Sequence, residues 1–407
     1  MTMPSLIKYF FPKNESFGFE ALRSAGYSNC GAADVGEVIA ICSRIPSGNE
    51  DIWLREWRAA GDRATTNAKT SLAKGNTPGA REGFLRASNY YRTAEFYRRE
   101  NPLDDKLSKT LEELGRTSFW AAADLMPYVT KKVNIPYEGT TLPGILMRPD
   151  ESDKPRPIII INGGYDSTKE EVVYSVGAAA LELGVNVLAF DGPGQGQALR
   201  EQRLFFRHDW EKVITPVFDY ALAQPFVDND KLVLLGISMG GYLVARAAAF
   251  DHRAAAIVLN DGVYDFSSPY RNQTPAIGRY LIKRGWDSFV NFVIHRMETW
   301  DTGMKWGLSN GKWVFGLTTE VDVLRTVEKY TLKGVVENIK TPTLVMDALD
   351  DHFLKGQPKE LFDRLTCEKE FAQFTREEGA SAHCAVGANA RLNQVVWDWL
   401  LDRLPKS

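Results

Sequence analysis

A short apolar strand that runs directly into the pattern Gly-x-Ser-x-Gly constrains this chain most. Residues 232–235 are all aliphatic, Ser238 lies between Gly236 and Gly240, and residues 242–250 are rich in alanine. A turn from strand to helix at such a site is too tight for a Cβ on either glycine, and it lifts the serine Oγ above the sheet edge. The pattern predicts a nucleophilic serine; the competing interpretation is a serine in a tight turn of some other α/β protein.

The composition describes an ordinary globular chain and argues against several classes of partner. The 407 residues are 44% hydrophobic and 25% charged, and the formal net charge is −3. This charge gives no electrostatic reason to bind nucleic acid or an anionic membrane. The sequence offers neither an apolar run long enough to cross a membrane nor a signal peptide. We therefore expect a cytoplasmic protein without nucleic-acid or membrane partners, and its four scattered cysteines predict free thiols.

Changes in residue composition and hydrophobic pattern along the chain predict three regions. Residues 1–127 are irregular at first and then helical, which predicts an N-terminal helical cap region. Strands alternate with helices in residues 128–264 and 336–407, which predicts an α/β core. Residues 265–335 are rich in aromatic side chains and predict a helical insertion. This insertion is either a lid over the carboxyl edge of the sheet or additional core, and the sequence leaves both open.

Eight segments rich in branched aliphatic and aromatic residues are predicted as strands. The first two flank a Glu-Gly turn, which predicts an antiparallel edge. The others alternate with helices and are apolar on both faces, which predicts a mostly parallel twisted sheet with helices on both sides. The predicted strands are residues 129–136, 141–147, 157–161, 185–190, 232–235, 257–259, 343–346 and 371–374.

A nucleophilic serine needs a base and an acid, which follow it in the order Ser, Asp, His in the α/β-hydrolase plan. His383 follows the last predicted strand in a loop of small residues, so we predict it as the base. Asp350 follows the penultimate strand and is predicted as the acid, with Asp351 as the alternative. His352 is a rival base, but it adjoins the acid and is poorly placed to reach Ser238.

The oxyanion donors are predicted to be two backbone N–H groups. One belongs to Met239, the residue after the serine, and the other to the loop of residues 162–167. Gly164 is predicted as this second donor and Tyr165 is the alternative; Tyr165 is also predicted to bind substrate. The glycine-rich residues 191–196 lack the third glycine of a dinucleotide site, so they predict a structural turn and no cofactor. No group of residues has metal-ligand spacing, so no metal is expected.

Several of these segments resemble one serine-hydrolase family. It includes bacterial dihydroxypseudooxynicotine hydrolase and the fungal heptaketide-shortening hydrolases of melanin pathways. The resemblance covers roughly residues 50–265 and 340–405. The segments that carry it are residues 86–96, 163–171, 191–196, 236–242, 353–358 and 378–383.

The resemblance implies an α/β-hydrolase fold with a helical cap, and an active site between cap and sheet. It implies that Ser238, Asp350 and His383 form the catalytic triad. It further implies a homodimer that hydrolyses a carbon–carbon bond next to a ketone in an aromatic or polyketide-type compound of secondary metabolism. An ester, lactone or thioester hydrolase, an acyltransferase or a cyclase would use the same machinery, and the triad does not separate these activities. A non-catalytic binding protein is disfavoured because all three candidate residues are present.

Overall fold

An eight-stranded sheet crosses the centre of the molecule in the computed structural model, which describes residues 5–404. The strands are β1 (Val129–Tyr137), β2 (Thr140–Arg148), β3 (Arg156–Asn162), β4 (Asn186–Phe190), β5 (Val227–Ile237), β6 (Ala256–Asn260), β7 (Thr343–Ala348) and β8 (Lys369–Phe374). Their order is β1-β2-β4-β3-β5-β6-β7-β8. The β1–β2 and β2–β4 pairs are antiparallel and all other pairs are parallel, so the predicted sheet with an antiparallel edge is confirmed.

The central strands form because their side chains are apolar on both faces. Residues 158–161 of β3 are four consecutive isoleucines, and all four are fully buried. Helices that cover both faces of a parallel sheet require such runs, whereas an edge strand can alternate. β1 alternates in this way, exposing several polar residues and burying Ile135 and Tyr137.

Helices precede the sheet, cover both of its faces and fill the segment between β6 and β7. They are α1 (Glu15–Gly26), α2 (Val35–Cys42), α3 (Glu50–Ala73), α4 (Thr77–Glu95), α5 (Lys106–Ala123), α6 (Lys169–Val172), α7 (Ala178–Glu182), α8 (Gly196–Gln202), α9 (Glu211–Leu222), α10 (Met239–Ala248), α11 (Ser268–Gln273), α12 (Ala276–Lys283), α13 (Asp287–Glu298), α14 (Thr302–Phe315), α15 (Glu320–Val327), α16 (Gln357–Arg364) and α17 (Asn389–Leu401). Among the helices of residues 5–404, none combines the length and the apolar composition that a membrane span requires.

The N-terminal helices have an aromatic core of their own. Trp53 and Trp57 lie one turn apart on α3 and are fully buried against Tyr90 of α4 and Phe17 of α1. The Trp53 indole N–H donates to the backbone carbonyl of Thr93 at 2.7 Å, so its polar atom is satisfied inside this core. The helical N-terminal region predicted from the sequence is confirmed.

The helices between β6 and β7 divide into two parts. α14 and α15 contribute Leu308, Val314 and Val323 to the main core beneath the sheet edge. α12 and α13 lie outside this core and leave large apolar side chains exposed, among them Trp286 and Phe292. The second half of the insertion thus packs into the main core, and the first half borders solvent.

The start of α10 lies unusually close to its neighbours, and glycines make this possible. A Cβ on Gly241 would lie 1.7 Å from the Asp261 carbonyl oxygen, and one on Gly240 would lie 2.5 Å from the carbonyl oxygen of Asn162. Both neighbours are backbone atoms, so neither can move away without shifting a strand end. The glycines after Ser238 therefore fix the distance between α10 and the ends of β3 and β6.

We expect Gly241→Ala to lower the free energy of unfolding by about 2–4 kcal/mol, because the new methyl group overlaps a backbone carbonyl. Gly307→Ala in α14 is the matched control, since a Cβ there meets nothing within 4 Å. We expect this control to change the free energy of unfolding by less than about 1 kcal/mol, or to raise it. Urea denaturation followed by circular dichroism measures both, and equal losses would contradict the close approach.

Candidate active site

Ser238 occupies a strained backbone position at the carboxyl end of β5. Its φ is 59° and its ψ is −125°, values that a residue with a side chain rarely adopts. The conformation is held from both sides, because Ser238 N–H donates to Asn260 O and Gly241 N–H donates to Ser238 O. The side chain consequently stands at the N-terminus of α10, clear of the strand.

His383 lies directly beside Ser238. It begins a short 3-10 turn after β8, and its Nε2 is 2.8 Å from Ser238 Oγ. On the other side of the ring, Nδ1 is 2.7 Å from Oδ2 of Asp351. The structure thus brings together the serine and the histidine that the sequence predicted and joins them to a carboxylate, all three side chains being at one edge of the sheet.

The carboxylate beside His383 belongs to Asp351, and the preference for Asp350 is corrected. Asp350 faces Arg376, whose Nε donates to its carboxylate at 2.6 Å, and it accepts a hydrogen bond from Ser381 Oγ at 2.8 Å. A turn after β7, closed by Asp351 N–H to Ala348 O at 2.9 Å, directs Asp351 inward and leaves Asp350 at the rim. Counting residues after a strand does not reveal which one such a turn directs inward.

A second carboxylate, which the sequence analysis did not consider, also touches the imidazole. Asp261 follows β6, is buried, and places Oδ2 2.8 Å from His383 Nδ1. Burial and repulsion by Asp351 raise the pKa of Asp261 to about 7. The imidazole holds the pKa of Asp351 below its usual range despite burial. The two carboxyl groups therefore share one proton near neutral pH, with Asp351 the charged member. The position of Asp261 directly after the central strand β6 is the sequence signal that could have identified it as a site residue.

The surroundings of His383 stabilise the imidazolium that forms when the ring accepts a proton. Burial alone would lower the pKa of His383, but the Asp351 carboxylate raises it well above its ordinary value. The neighbouring thiol of Cys384 lies 3.4 Å from Nε2, and burial raises the pKa of this thiol to about 12. The thiol is thus neutral, and the imidazole is suited to accept the serine proton.

Two backbone N–H groups next to Ser238 and in the loop after β3 lack an acceptor within residues 5–404, and one of them differs from the predicted pair. The Met239 N–H belongs to the first turn of α10 and has no intrahelical acceptor. The Gly164 N–H is occupied, because it donates to Ser167 Oγ at 2.9 Å. Among the described residues, the N–H of Tyr165 has no acceptor. The geometry therefore favours Tyr165, the alternative, over Gly164 as the second donor. Because Gly164 has no side chain, it allows the loop after β3 to approach Ser238 closely.

The loop that carries this second donor is held by side chains from two directions. Gln195 Nε2 donates to the carbonyl oxygens of Gly163 at 2.7 Å and Gly164 at 3.0 Å. From the insertion, Asn310 Nδ2 donates to the Tyr165 carbonyl at 3.0 Å. Residues 191–196, predicted as a structural turn near the site, thus also fix the backbone of residues 163–164 through Gln195.

Tyr165 contributes only part of its side chain to the cavity. Its hydroxyl group donates to the Gly307 carbonyl of α14 at 3.0 Å, so this polar group is already engaged. The ring lines the cavity and lies 5.5 Å from that of Phe266. Its predicted contact with substrate would therefore be made through the ring face.

A buried cluster of five charged groups links the N-terminal helices to the same loop. Arg23 of α1 donates to Asp166 and to Glu171, in each case at 2.7 Å. Arg92 of α4 lies 2.9 Å from Glu20 and 3.3 Å from Asp166. Burial raises the pKa of Glu20 despite both guanidinium groups. Since Asp166 follows Tyr165 directly, these ion pairs also hold the loop of residues 163–167 in position.

Ser238 and His383 open onto a cavity of about 850 Å³. Its walls come from α1, from the carboxyl edge of the sheet and from the insertion, and they are mainly aromatic and aliphatic. Large contributors are Phe19, Tyr27, Phe266, Tyr270, Leu308 and Phe353. This volume falls within the range of pockets that enclose drug-sized molecules.

Two groups of side chains within residues 5–404 bring metal-binding atoms together. The first, Asp261, His383 and Cys384, belongs to the site just described. The second, His295, Glu298 and Glu320, lies on the insertion, where Lys312 already neutralises Glu320.

The fold and this arrangement define a hydrolase of the α/β class. Residues 158–395 match the model of the alpha/beta hydrolase family. Hydrolase LUC6 of Fusarium sp is 36% identical over 403 residues, covering 94% of this chain and 95% of its own. The 20-hydroxy-prefusarin hydrolase FUS2 of Gibberella moniliformis is 33% identical over 408 residues, covering 95% of this chain and 96% of its own.

The crystal structure of 2,6-dihydroxy-pseudo-oxynicotine hydrolase superposes with a TM-score of 0.73 at 20% identity, covering 93% of this chain and 95% of that one. The chain therefore belongs to the alpha/beta hydrolase family, and its resemblance to the group that includes this enzyme is confirmed.

We expect Asp351→Asn to slow fluorophosphonate labelling of Ser238 by about a hundredfold or more, because the amide cannot stabilise the imidazolium. Asp350→Asn is the matched control and should change the labelling rate by less than about tenfold, since Asp350 contacts Arg376 rather than His383. Mass spectrometry of the labelled protein over time gives both rates. A larger loss in the control would reassign the acid.

We expect Asp261→Asn to move the acidic limb of the labelling-rate profile toward lower pH. With a pKa of about 7, Asp261 is partly ionised near neutral pH, and its ionised fraction favours the imidazolium; removing it lowers the pKa of His383, so the neutral imidazole persists to lower pH. Labelling rates across the acidic and neutral range measure the limb, and Asp350→Asn should leave it in place. If the acidic limb of Asp261→Asn stays at the same pH or moves to higher pH, Asp261 does not influence the pKa of His383.

Proposed function

We propose that the protein is a serine hydrolase in which Ser238 is the nucleophile, His383 the base and Asp351 the orienting acid. The observation that carries this proposal is the continuous hydrogen-bonded chain from Ser238 Oγ to Asp351, which opens onto a large apolar cavity. A neutral imidazole takes the serine proton, and the adjacent carboxylate stabilises the resulting imidazolium.

The first half of the reaction forms an acyl-enzyme. Ser238 Oγ attacks a carbonyl carbon of the substrate while its proton passes to His383 Nε2. The carbonyl oxygen becomes negative and accepts hydrogen bonds from the N–H groups of Met239 and Tyr165. Losing one such donor typically slows acyl transfer by about 10²–10³-fold.

We further propose that the bond broken is a carbon–carbon bond next to a ketone. When the tetrahedral intermediate collapses, the electron pair of that bond moves to the departing carbon, and His383 delivers its proton there. A carbanion leaves readily only when its charge is delocalised, as by a β-dicarbonyl group or by a phenol ring ortho or para to the ketone. Water, activated by His383, then hydrolyses the ester on Ser238 and releases a carboxylic acid.

The cavity supports an aromatic or polyketide-type substrate. Phe266, Tyr270 and Phe353 offer flat apolar faces suited to conjugated rings. The relative FUS2 is named for hydrolysis of 20-hydroxy-prefusarin, which supports a small molecule of secondary metabolism.

We also propose that residues 1–127 act as a cap region, 128–264 and 336–407 as the catalytic core, and 265–335 as a lid. Contacts of α1 with the cavity and of α14 with Tyr165 support these divisions. The homodimer and the cytoplasmic location remain predictions, and sedimentation equilibrium measures the former.

The products distinguish the proposed cleavage from ester hydrolysis. With a candidate aromatic or β-diketone substrate in deuterated water, we expect a carboxylic acid and a second fragment that carries deuterium on carbon. The same reaction in ¹⁸O-water should place ¹⁸O in the acid. Ser238→Ala should fold normally and give no product. A released alcohol would instead indicate an ester or lactone hydrolase, transfer to an added nucleophile would indicate an acyltransferase, and full activity of Ser238→Ala would contradict the whole mechanism.

A further inference from the structure

The first half of the insertion exposes large apolar side chains to an unusual degree. Trp300 is 92% exposed and Ile277 is 64% exposed. Scattered apolar residues are normal on a protein surface, but a contiguous group of this size marks an interaction site. We call this group on α12, α13 and their ends the apolar patch; its members are Ile277, Tyr280, Trp286, Phe289, Phe292, Val293, Met297 and Trp300.

The apolar patch continues into the mouth of the active-site cavity. Phe289, Val293 and Met297 are spaced by four residues on α13 and therefore lie on one face of that helix. All three are exposed and also line the cavity, as do Ile277 and Trp300. Exposed apolar side chains of α12 and α13 thus form part of the wall of the cavity that holds Ser238.

The charges around the apolar patch are mainly positive. Within the fully described stretch 276–301, the exposed basic residues are Arg279, Lys283, Arg284 and Arg296, and Asp301 is exposed beside them. Asp287 pairs with Arg325 at 2.7 Å, Glu298 is buried, and Asp301 accepts a hydrogen bond from Met304 N–H at the start of α14. The patch is therefore locally basic although the net charge of the chain is −3.

We propose that α12 and α13 dock on an anionic lipid surface, with the mouth of the cavity facing the lipid. Helices that bear Trp and Phe on one face and Lys or Arg beside them bind at such interfaces. Two arginines already lie along aromatic rings in the manner of interfacial side chains: Arg284 lies 5.4 Å from the centre of Tyr280 and Arg296 lies 5.5 Å from that of Phe292.

Other occupants fit the charge pattern less well. A second copy of the chain would bring basic residues together around a two-fold axis, and the nearby acids Asp287 and Asp301 already accept from Arg325 and from the first turn of α14. An acidic protein would pair with the basic residues, but the almost fully exposed Trp300 is better covered by the fluid apolar interior of a lipid layer. Anionic lipid supplies both the negative charge and this phase.

The whole-chain charge had argued against a membrane partner, and the structure shows why that argument was incomplete. Net charge averages over the surface, whereas attraction to a lipid headgroup falls off within about 10 Å. Docking of this kind requires no helix that spans the bilayer. It would let an apolar substrate pass from lipid to the cavity without crossing water.

The apolar contribution is tested by sedimentation of the full chain with vesicles of phosphatidylcholine alone or mixed with phosphatidylserine. We expect binding to the mixed vesicles, and we expect Phe292→Ser to weaken it about tenfold or more. Phe250→Ser is the matched control, because Phe250 is also exposed and also lies under an arginine, Arg246, at 4.3 Å. Equal effects of the two substitutions, or no binding by the unaltered protein, would overturn the proposal.

The charge contribution is tested by the pair Arg279→Glu and Lys283→Glu, made together. Each basic residue near an anionic surface favours binding, so we expect at least about a tenfold loss and little remaining difference between the two vesicle types. Arg63→Glu with Lys69→Glu on α3 changes the net charge equally, at exposed positions far along the chain, and should have little effect. Thermal unfolding and Ser238 labelling establish that each variant is folded. Loss of a dimer in Phe292→Ser, with unchanged vesicle binding, would assign the apolar patch to a second copy instead.

Discussion

The site depends on how closely the start of α10 approaches the ends of β3 and β6. Glycines after Ser238 permit this approach, and Ser238 itself absorbs the strain with a φ of 59°. As a result, the serine stands beside the imidazole, and Gly164 of the loop after β3 lies against both Ser238 and the Met239 N–H. A backbone energy of about 1–3 kcal/mol is typical for such a conformation, and the surrounding close packing maintains it.

The loop of residues 163–167 is where the three parts of the molecule meet. Gln195 holds it from the core, Asn310 holds it from the insertion, and Arg23 with Arg92 holds it from the N-terminal helices. Because this loop carries the Tyr165 N–H, helices remote in sequence help to set the position of one of the two oxyanion donors that we propose. Groups fixed before the reaction stabilise a developing charge without further reorganisation, which is why such positioning matters.

The sequence predicted the features that depend on local pattern. Strand alternation predicted the sheet with its antiparallel edge, and Gly-x-Ser-x-Gly with a late loop histidine predicted two side chains that the structure places 2.8 Å apart. The sequence-based prediction failed where a turn or a competing hydrogen bond decides which group faces the site, as at Asp350 and Gly164. Asp261 was missed because its proximity to His383 depends on the order of β6 and β7 in the sheet. The basic surroundings of the apolar patch were missed because the ion pair of Asp287 and the burial of Glu298 are not visible in a sequence.

The buried ion pairs of Arg23 and Arg92 limit how the N-terminal helices can be exchanged among related enzymes. Separating these guanidinium groups from Asp166 and Glu171 would leave carboxylates without partners in a closed interior, at a cost of about 3–5 kcal/mol for each broken pair. A chimaera that transplants these helices to alter substrate preference must therefore carry both arginines and the acids of the loop as one unit. Directed evolution of the cavity wall on α1 is limited at Arg23 by these ion pairs, and at Phe19, four residues earlier, by a ring that lies 6.0 Å from that of His383.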